Sequence, residues 1–308
     1  MIFEMGNQGE ACELGGKALE LEKLCEAGFK VPPFLVLTGE DFFEFFGEER
    51  EELRSLLSEY KDENREEICA IIRKREFSKD WKEEVISKVR EYIGEDCLLA
   101  VRSSAMDEDG ERFSFAGMME SYLNVRQGEE IFTAVKQCYL SCFSERVMRY
   151  RKENGLIDEN IGMAVILQKM VEADASGVMF TSNPLTNNPD EVLISVVTGL
   201  GEALVSGEKN SFDAVYDRFG NRVEVDEAMP LSENILQEIV SLGLRVEDID
   251  VKKRGRDIEF SVKDEVVYLL QNRLITNVSH IEKNRERTIL DNSNIIESYS
   301  GVTTPLTF

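Results

Sequence analysis

Two strand-like runs, Arg256-Asp257-Ile258-Glu259-Phe260-Ser261-Val262 and Val266-Val267-Tyr268-Leu269-Leu270-Gln271-Asn272-Arg273, carry charged and amide side chains among apolar ones. Such a pair predicts an antiparallel hairpin, in which directly opposed residues share a face and every second residue returns to it. A three-residue connection through Lys263-Asp264-Glu265 is the expectation. It pairs Ile258, Phe260 and Val262 with Leu270, Tyr268 and Val266 on one apolar face. On the other face Asp257 then opposes Gln271, Glu259 lies two residues along, and Arg273 follows Gln271. Two carboxylates, an amide oxygen and a guanidinium suit a hard divalent cation bound with phosphate oxygens, because Mg2+ takes oxygen ligands and keeps room for its substrate. A merely solvated hairpin face has the same composition, and these residues alone leave both readings open.

Other residues have chemistry that fits an anion. Gly15-Gly16-Lys17 precedes a helical run, a place where backbone amides and the helix dipole favour negative charge and Lys17 adds a point charge; a glycine turn with a surface lysine reads the same way. Arg102-Ser103-Ser104-Ala105 follows the strand-like Leu98-Leu99-Ala100-Val101 and reads as a hydroxyl-rich turn with an arginine at a strand end, a reasonable phosphate contact. Small residues at 114–121, including Gly117 and Ser121, could form a loop that closes over a nucleotide, or simply a loop. The strand end Gln168-Lys169-Met170-Val171 suits an adenine held by apolar groups and backbone hydrogen bonds. Thr198-Gly199-Leu200-Gly201-Glu202 is too short to indicate dinucleotide binding. His280 is the only histidine, and no neighbour would orient it as a general base or phospho-acceptor. The six cysteines contain no CxxC pair; Cys138 and Cys142 sit at helical spacing beside Val135 and Phe143, as core residues do.

These groups need a mixed scaffold to position them. Pro32 and Pro33 lead into a buried strand at Phe34-Leu35-Val36-Leu37, and the spacing of Thr38 to Asp41 fits a capping box. Apolar stripes make residues 40–94 helical, and one long amphipathic helix is expected over 129–152. Further strands are expected at 122–125, 163–170, 177–180, 191–197, 212–217 and 221–225, with a helix near 232–242. The 308 residues suffice for one large or two ordinary domains. Sixty acidic against thirty-six basic residues, a formal net charge of −24, argue against nucleic acid or an anionic membrane as partner. No stretch approaches the roughly 18 apolar residues of a membrane span, and the acidic start of the chain is unlike a targeting peptide, so the expected location is cytoplasmic.

In order along the chain, GGKALEL at 15–21, LLAVRSSAMDED at 98–109, SFAGMMESYLNV at 114–125, LQKMVEADASGVMFTSNPL at 167–185, TGLGEALVSG at 198–207 and the pair RDIEF with YLLQNR resemble the nucleotide-binding domain of the phosphoenolpyruvate synthase and pyruvate phosphate dikinase family, which includes rifampin phosphotransferases. The resemblance covers nearly the whole chain. It implies an α/β, ATP-grasp-like fold of mainly antiparallel sheets, with an N-terminal lobe at 1–170, a C-terminal lobe at 171–275 and a tail at 276–308 leading to a further domain. It further implies that Lys17, Arg102 and Arg273 bind the phosphates of ATP, the two arginines acting in catalysis. The loop bearing Gly117 and Ser121 would cover them, Gln168 and Met170 would meet the adenine, Glu259 and Gln271 would ligate Mg2+, and Asp257 would support that site.

In that family a phosphoryl or pyrophosphoryl group passes from ATP to a histidine on a swivelling domain, the implied partner here, and onward to pyruvate or another acceptor. This chain departs from the pattern in having no threonine-serine-histidine-alanine block, and His280 in VSHIE matches it poorly. The region 231–256 is also short and highly charged for the family. The closing SGVTTPLTF resembles the start of a following region, so a fragment of a longer enzyme is expected. Drug or glucan acceptors, and a non-catalytic nucleotide-sensing module, are the alternatives.

Overall fold

A computed structural model describes residues 2–4, 11–106, 118–158, 161–201, 211–252 and 254–275. The elements in chain order are β1 (Ile2–Glu4), α1 (Ala11–Glu26), β2 (Phe34–Leu37), α2 (Gly39–Phe46), α3 (Arg50–Ser58), α4 (Asn64–Lys74), α5 (Lys79–Lys88), β3 (Leu99–Ala105), β4 (Ser121–Val125), α6 (Glu129–Ser141) and α7 (Glu145–Asn154). They continue with β5 (Met163–Lys169), β6 (Ala175–Phe180), β7 (Glu191–Thr198), β8 (Phe212–Asp217), β9 (Arg222–Val225), α8 (Glu233–Glu247), β10 (Arg256–Lys263) and β11 (Val266–Leu274). Two sheets result, ordered β1-β2-β5-β3-β4 and β11-β10-β6-β7-β8-β9, and every strand pairing is antiparallel. The fold class is therefore α/β with mainly antiparallel sheets. Among the described residues no helix is long and apolar enough to cross a membrane.

The uninterrupted apolar run of β2 follows from burial on both faces. Leu35 and Leu37 join a core formed with the helices α2–α7, while Phe34 and Val36 join a second core made with α1, α8 and the second sheet. Helix α1 lies between the sheets. Its Leu14, Ala18, Leu21 and Leu24 pack in the core that also contains Ile166 of the first sheet and Ile258, Phe260 and Val262 of the second. Thr38 and Asp41 form the capping box at α2, with the Thr38 amide donating to Asp41 Oδ2 at 2.8 Å.

The helix expected over 129–152 is two helices. Ser144 is extended and accepts from the Val147 amide at 3.4 Å, which starts α7 and breaks the run. The buried Arg151 Nη1 then donates to the Cys142 carbonyl at 2.7 Å, taking up an acceptor at the end of α6. Burial pushes the Cys138 thiol up to about 12, consistent with a packing residue.

Candidate functional site

The hairpin of β10 and β11 turns on two residues, Asp264 and Glu265, not three. Both have positive φ, 49° and 61°, as a tight primed turn demands. Pairing from the turn runs Lys263 with Val266, Val262 with Val267, Ser261 with Tyr268 and Phe260 with Leu269. A bulge then leaves Leu270 unpaired, so Glu259 opposes Gln271 and Asp257 opposes Arg273. The expected pairs of Asp257 with Gln271, and of Leu270, Tyr268 and Val266 with the apolar residues of β10, are thus corrected. The buried apolar residues of β11 are Val267 and Leu269. The bulge reverses the alternation, and Gln271 and Arg273 reach the face of Asp257 and Glu259 by that route.

The segment Arg102 to Ala105 is not a turn; it continues β3 to its end. Arg102 opposes Ile166, which lies in the core beside α1, so its side chain leaves the first sheet on the side facing the second. Its Nη1 donates to the Leu270 carbonyl at 2.7 Å and to Gln168 Oε1 at 3.3 Å. Its Nη2 donates to Glu259 Oε2 at 2.9 Å and to Gln271 Oε1. The bulge residue that sets the register therefore also offers its carbonyl to Arg102. Arg273 completes the group, with Nη2 at 3.0 Å from Asp257 Oδ2 and 3.6 Å from Glu259 Oε1.

Lys17 approaches from α1, and its Nζ donates to the Ser103 carbonyl at 3.2 Å. Gly15, with φ 72° and ψ 169°, breaks the helix there; a Cβ on it would stand 2.3 Å from the Ser104 carbonyl oxygen. The Ser104 hydroxyl donates to the Leu14 carbonyl at 2.8 Å and accepts from the Ala18 amide at 3.1 Å, so it clasps the elbow from both sides. The Ser103 hydroxyl donates to the Glu120 carbonyl at 3.0 Å. Both hydroxyls are buried and engaged with backbone, which makes them supports for Lys17 and Arg102 rather than groups turned to a ligand.

Burial pushes the Glu259 carboxyl up, but the Arg102 and Arg273 guanidinia and the Lys17 ammonium outweigh it and hold the group below the usual range. Asp257 goes the other way. Burial raises it, the pull of Arg273 only partly opposes this, and the negative Glu259 adds to the rise.

The other expected site residues are placed as follows. Gln168 is buried with its carbonyl oxygen under Arg102, and its Nε2 has no hydrogen-bond partner. Met170 is half-buried; its amide donates to the Leu98 carbonyl and that of Lys169 to the Pro33 carbonyl, both at 2.9 Å, so neither amide is open to a base. Ser121 begins β4 opposite Arg102 and is exposed. Gly117 and His280, and the expected tail, lie outside the described residues, as does most of TGLGEALVSG.

No group of three or more His, Cys, Asp or Glu side chains that could hold a metal occurs among the described residues. The donor set at Glu259 and Gln271 nevertheless fits Mg2+. It is all oxygen, and the buried Asp257 Oδ1 beside it lacks a hydrogen-bond partner. Mg2+ commonly uses one or two protein carboxylates and takes its other ligands from water and phosphate.

The family model described as pyruvate phosphate dikinase, AMP/ATP-binding domain, matches residues 11–218. The chain belongs to this dikinase AMP/ATP-binding family. It is 33% identical to a probable phosphoenolpyruvate synthase of Archaeoglobus fulgidus over 90% of this chain and 41% of that protein. It is 31% identical to a rifampicin phosphotransferase of Bacillus cereus over 85% of this chain and 34% of that protein. The chain thus spans well under half the length of these curated relatives. A D-alanine–D-alanine ligase structure from Bacillus anthracis aligns with 85% of this chain and 57% of that one at 10% identity and a TM-score of 0.36. The segment matched by the family model includes Lys17, Arg102, Gln168 and Met170, while the carboxylate face at 257–273 lies beyond it.

Sequence reasoning missed the Leu270 carbonyl and the contacts of Glu20 with Asn272 and Arg256 on the other side of the hairpin. The signal for the bulge was present. Val267 and Leu269 count as apolar, and Gln271 and Arg273, at the same spacing of two, do not.

Proposed function

We propose that this chain binds ATP with Mg2+ and presents its phosphates for transfer to a histidine on a swivelling domain of the same parent protein or a separate chain, as part of an enzyme that makes phosphoenolpyruvate from pyruvate. The observation that carries this reading is the meeting of Arg102 with Glu259, Gln271 and the Leu270 carbonyl, beside Lys17 and Arg273, where the two sheets join. Three cations facing an all-oxygen donor pair on a mostly buried face is an arrangement suited to a polyphosphate. Phosphoryl transfer asks a protein chiefly for positioning and charge neutralisation.

In this reading Lys17, Arg102 and Arg273 hold the phosphate oxygens and stabilise charge that develops as the group leaves. Arg102 can exchange its contacts with Glu259 and Gln271 for phosphate oxygens of similar geometry. Glu259 and Gln271 would hold Mg2+, which supplies further charge neutralisation on the phosphates. Asp257 holds Arg273 in place. The adenine lies against the strand end at Met170, and Gln168 orients Arg102 from below. Pyruvate as the final acceptor is supported by the names of several relatives, and the rifampicin phosphotransferase relative makes a drug acceptor the second reading.

The test is calorimetric titration of a non-hydrolysable ATP analogue, with and without Mg2+, into this chain and its Glu259→Ala variant. Magnesium-dependent binding that disappears in the variant is the expected result. A folded wild-type chain that binds no nucleotide would overturn the proposal.

A further inference from the structure

The face of the hairpin turned away from the site and toward α1 is apolar at Ile258, Phe260 and Val262 and ends in two polar residues, Arg256 and Asn272. Arg256 precedes Asp257, and Asn272 lies between Gln271 and Arg273, so both alternate with site residues along their strands. Both are buried, at 5% and 3% exposure. Each donates to the same oxygen of α1: Glu20 Oε2 accepts from Arg256 Nη1 at 3.2 Å and from Asn272 Nδ2 at 2.7 Å. Lys23 donates to the other oxygen of Glu20 at 2.6 Å, and Arg256 Nη2 lies 3.3 Å from Asp250 Oδ2, which also accepts from Arg254 Nε at 2.7 Å.

None of these groups is among the proposed ligand contacts, and burying the network costs solvation that an apolar patch would not. Its geometry has a specific product. Glu20 follows Lys17 by three residues, within one turn of the same helix. The two side chains of α1 therefore reach two different strands: Lys17 reaches β3 beside Arg102, and Glu20 grips β10 and β11 from beneath the carboxylate face. Fixing Asn272 fixes the residues on either side of it, which are the two that the bulge delivers to the site.

We infer that Glu20 is a positioning residue that locks the Asp257, Glu259, Gln271 and Arg273 face in register with Lys17 and Arg102. The inference rests on the reading that this face meets the phosphates. It makes a distinction that general loss of stability does not: the phosphate side depends on Glu20, whereas the strand end at Met170, held by Leu98 and Pro33, does not.

The experiment compares AMP and a Mg2+-bound non-hydrolysable ATP analogue on the full chain, by calorimetry, for wild type and Glu20→Gln. Circular dichroism and a thermal melt establish folding. The expected result is unchanged AMP affinity with an ATP-analogue affinity weakened about tenfold, the scale of a small misplacement of binding groups. Wild-type affinity for the analogue in the variant, or equal weakening for both nucleotides, would overturn the inference. Should Glu20→Gln not fold, Asn272→Ser takes its place under the same criterion. A folded wild-type chain that binds neither nucleotide would instead overturn the nucleotide reading, and the role of Glu20 falls with it.

Discussion

Arg102 and Glu259 are 157 positions apart in the chain and meet at 2.9 Å, one carried by each sheet. The guanidinium side chain is 9% exposed and the carboxylate 25%. A pair this buried is a poor source of net stability but a costly one to halve, because the remaining charge keeps its burial and loses its partner. Glu259→Gln should therefore lower stability by about 3 kcal/mol in urea denaturation at neutral pH. Replacing Arg102 and Glu259 together by Met and Gln should cost less than the two single changes summed, and additive costs would show that the pair is not coupled.

The two carboxylates of the site should titrate stability in opposite senses. Glu259 has a depressed folded value, so its contribution is present above the unfolded carboxylate value of about 4.3 and is lost as pH falls through the folded value. Asp257 has a raised folded value, so its contribution is present below about 3.9 and is lost as pH rises through the folded value. From pH 4 to pH 7 the destabilisation by Glu259→Gln should grow and that by Asp257→Asn should shrink. Denaturation curves at several pH values check this, and parallel trends would refute it.

Gly15→Ala should be among the most damaging small substitutions. The backbone there has φ 72°, and the added Cβ would meet the Ser104 carbonyl oxygen at 2.3 Å. Strain at such a position costs about 1–3 kcal/mol, and the clash would displace the elbow that carries Lys17. We expect a loss of about 3 kcal/mol together with nucleotide binding; Gly28→Ala, with nothing within 4 Å of its Cβ, should show strain alone.

These residues also show what was legible in the sequence. The strands, the cap at Thr38 and the presence of Asp257, Glu259, Gln271 and Arg273 on one face could be read from period-two patterning and turn chemistry. The route to that face could not. Parity counting admits either an odd loop or an even loop with a bulge, and the choice depends on Leu270 finding Arg102, a contact made across 168 positions. Ser103 and Ser104 misled for a related reason: a hydroxyl beside an arginine reads as an anion contact until the chain supplies backbone carbonyls for it. The break at Ser144 was missed because the apolar stripe continues through it, and only the hydroxyl cap and the return of Arg151 show that the helix ends.

At the hairpin tip, Glu265 pays a conformational penalty at φ 61° that glycine would not. Glu265→Gly should raise stability by about 0.5–1 kcal/mol, the gain at the turn being reduced by the greater freedom of glycine in the unfolded chain. Nucleotide affinity should not change, since the turn is separated from Glu259 by four ladder pairs. A thermal melt and one titration decide both points.

The position of α1 between the sheets also bears on how the chain is made. By the time β5 has left the ribosome, all five strands of the first sheet have been synthesised, yet Leu14, Leu21 and Leu24 still await the strands and helix that cover them. The nascent chain must carry that uncovered apolar helix until β10 and β11 emerge, some hundred residues later. A polypeptide ending at Lys169 would keep a whole sheet and still be sticky, and chaperone engagement during synthesis should peak between the appearance of β5 and that of β11.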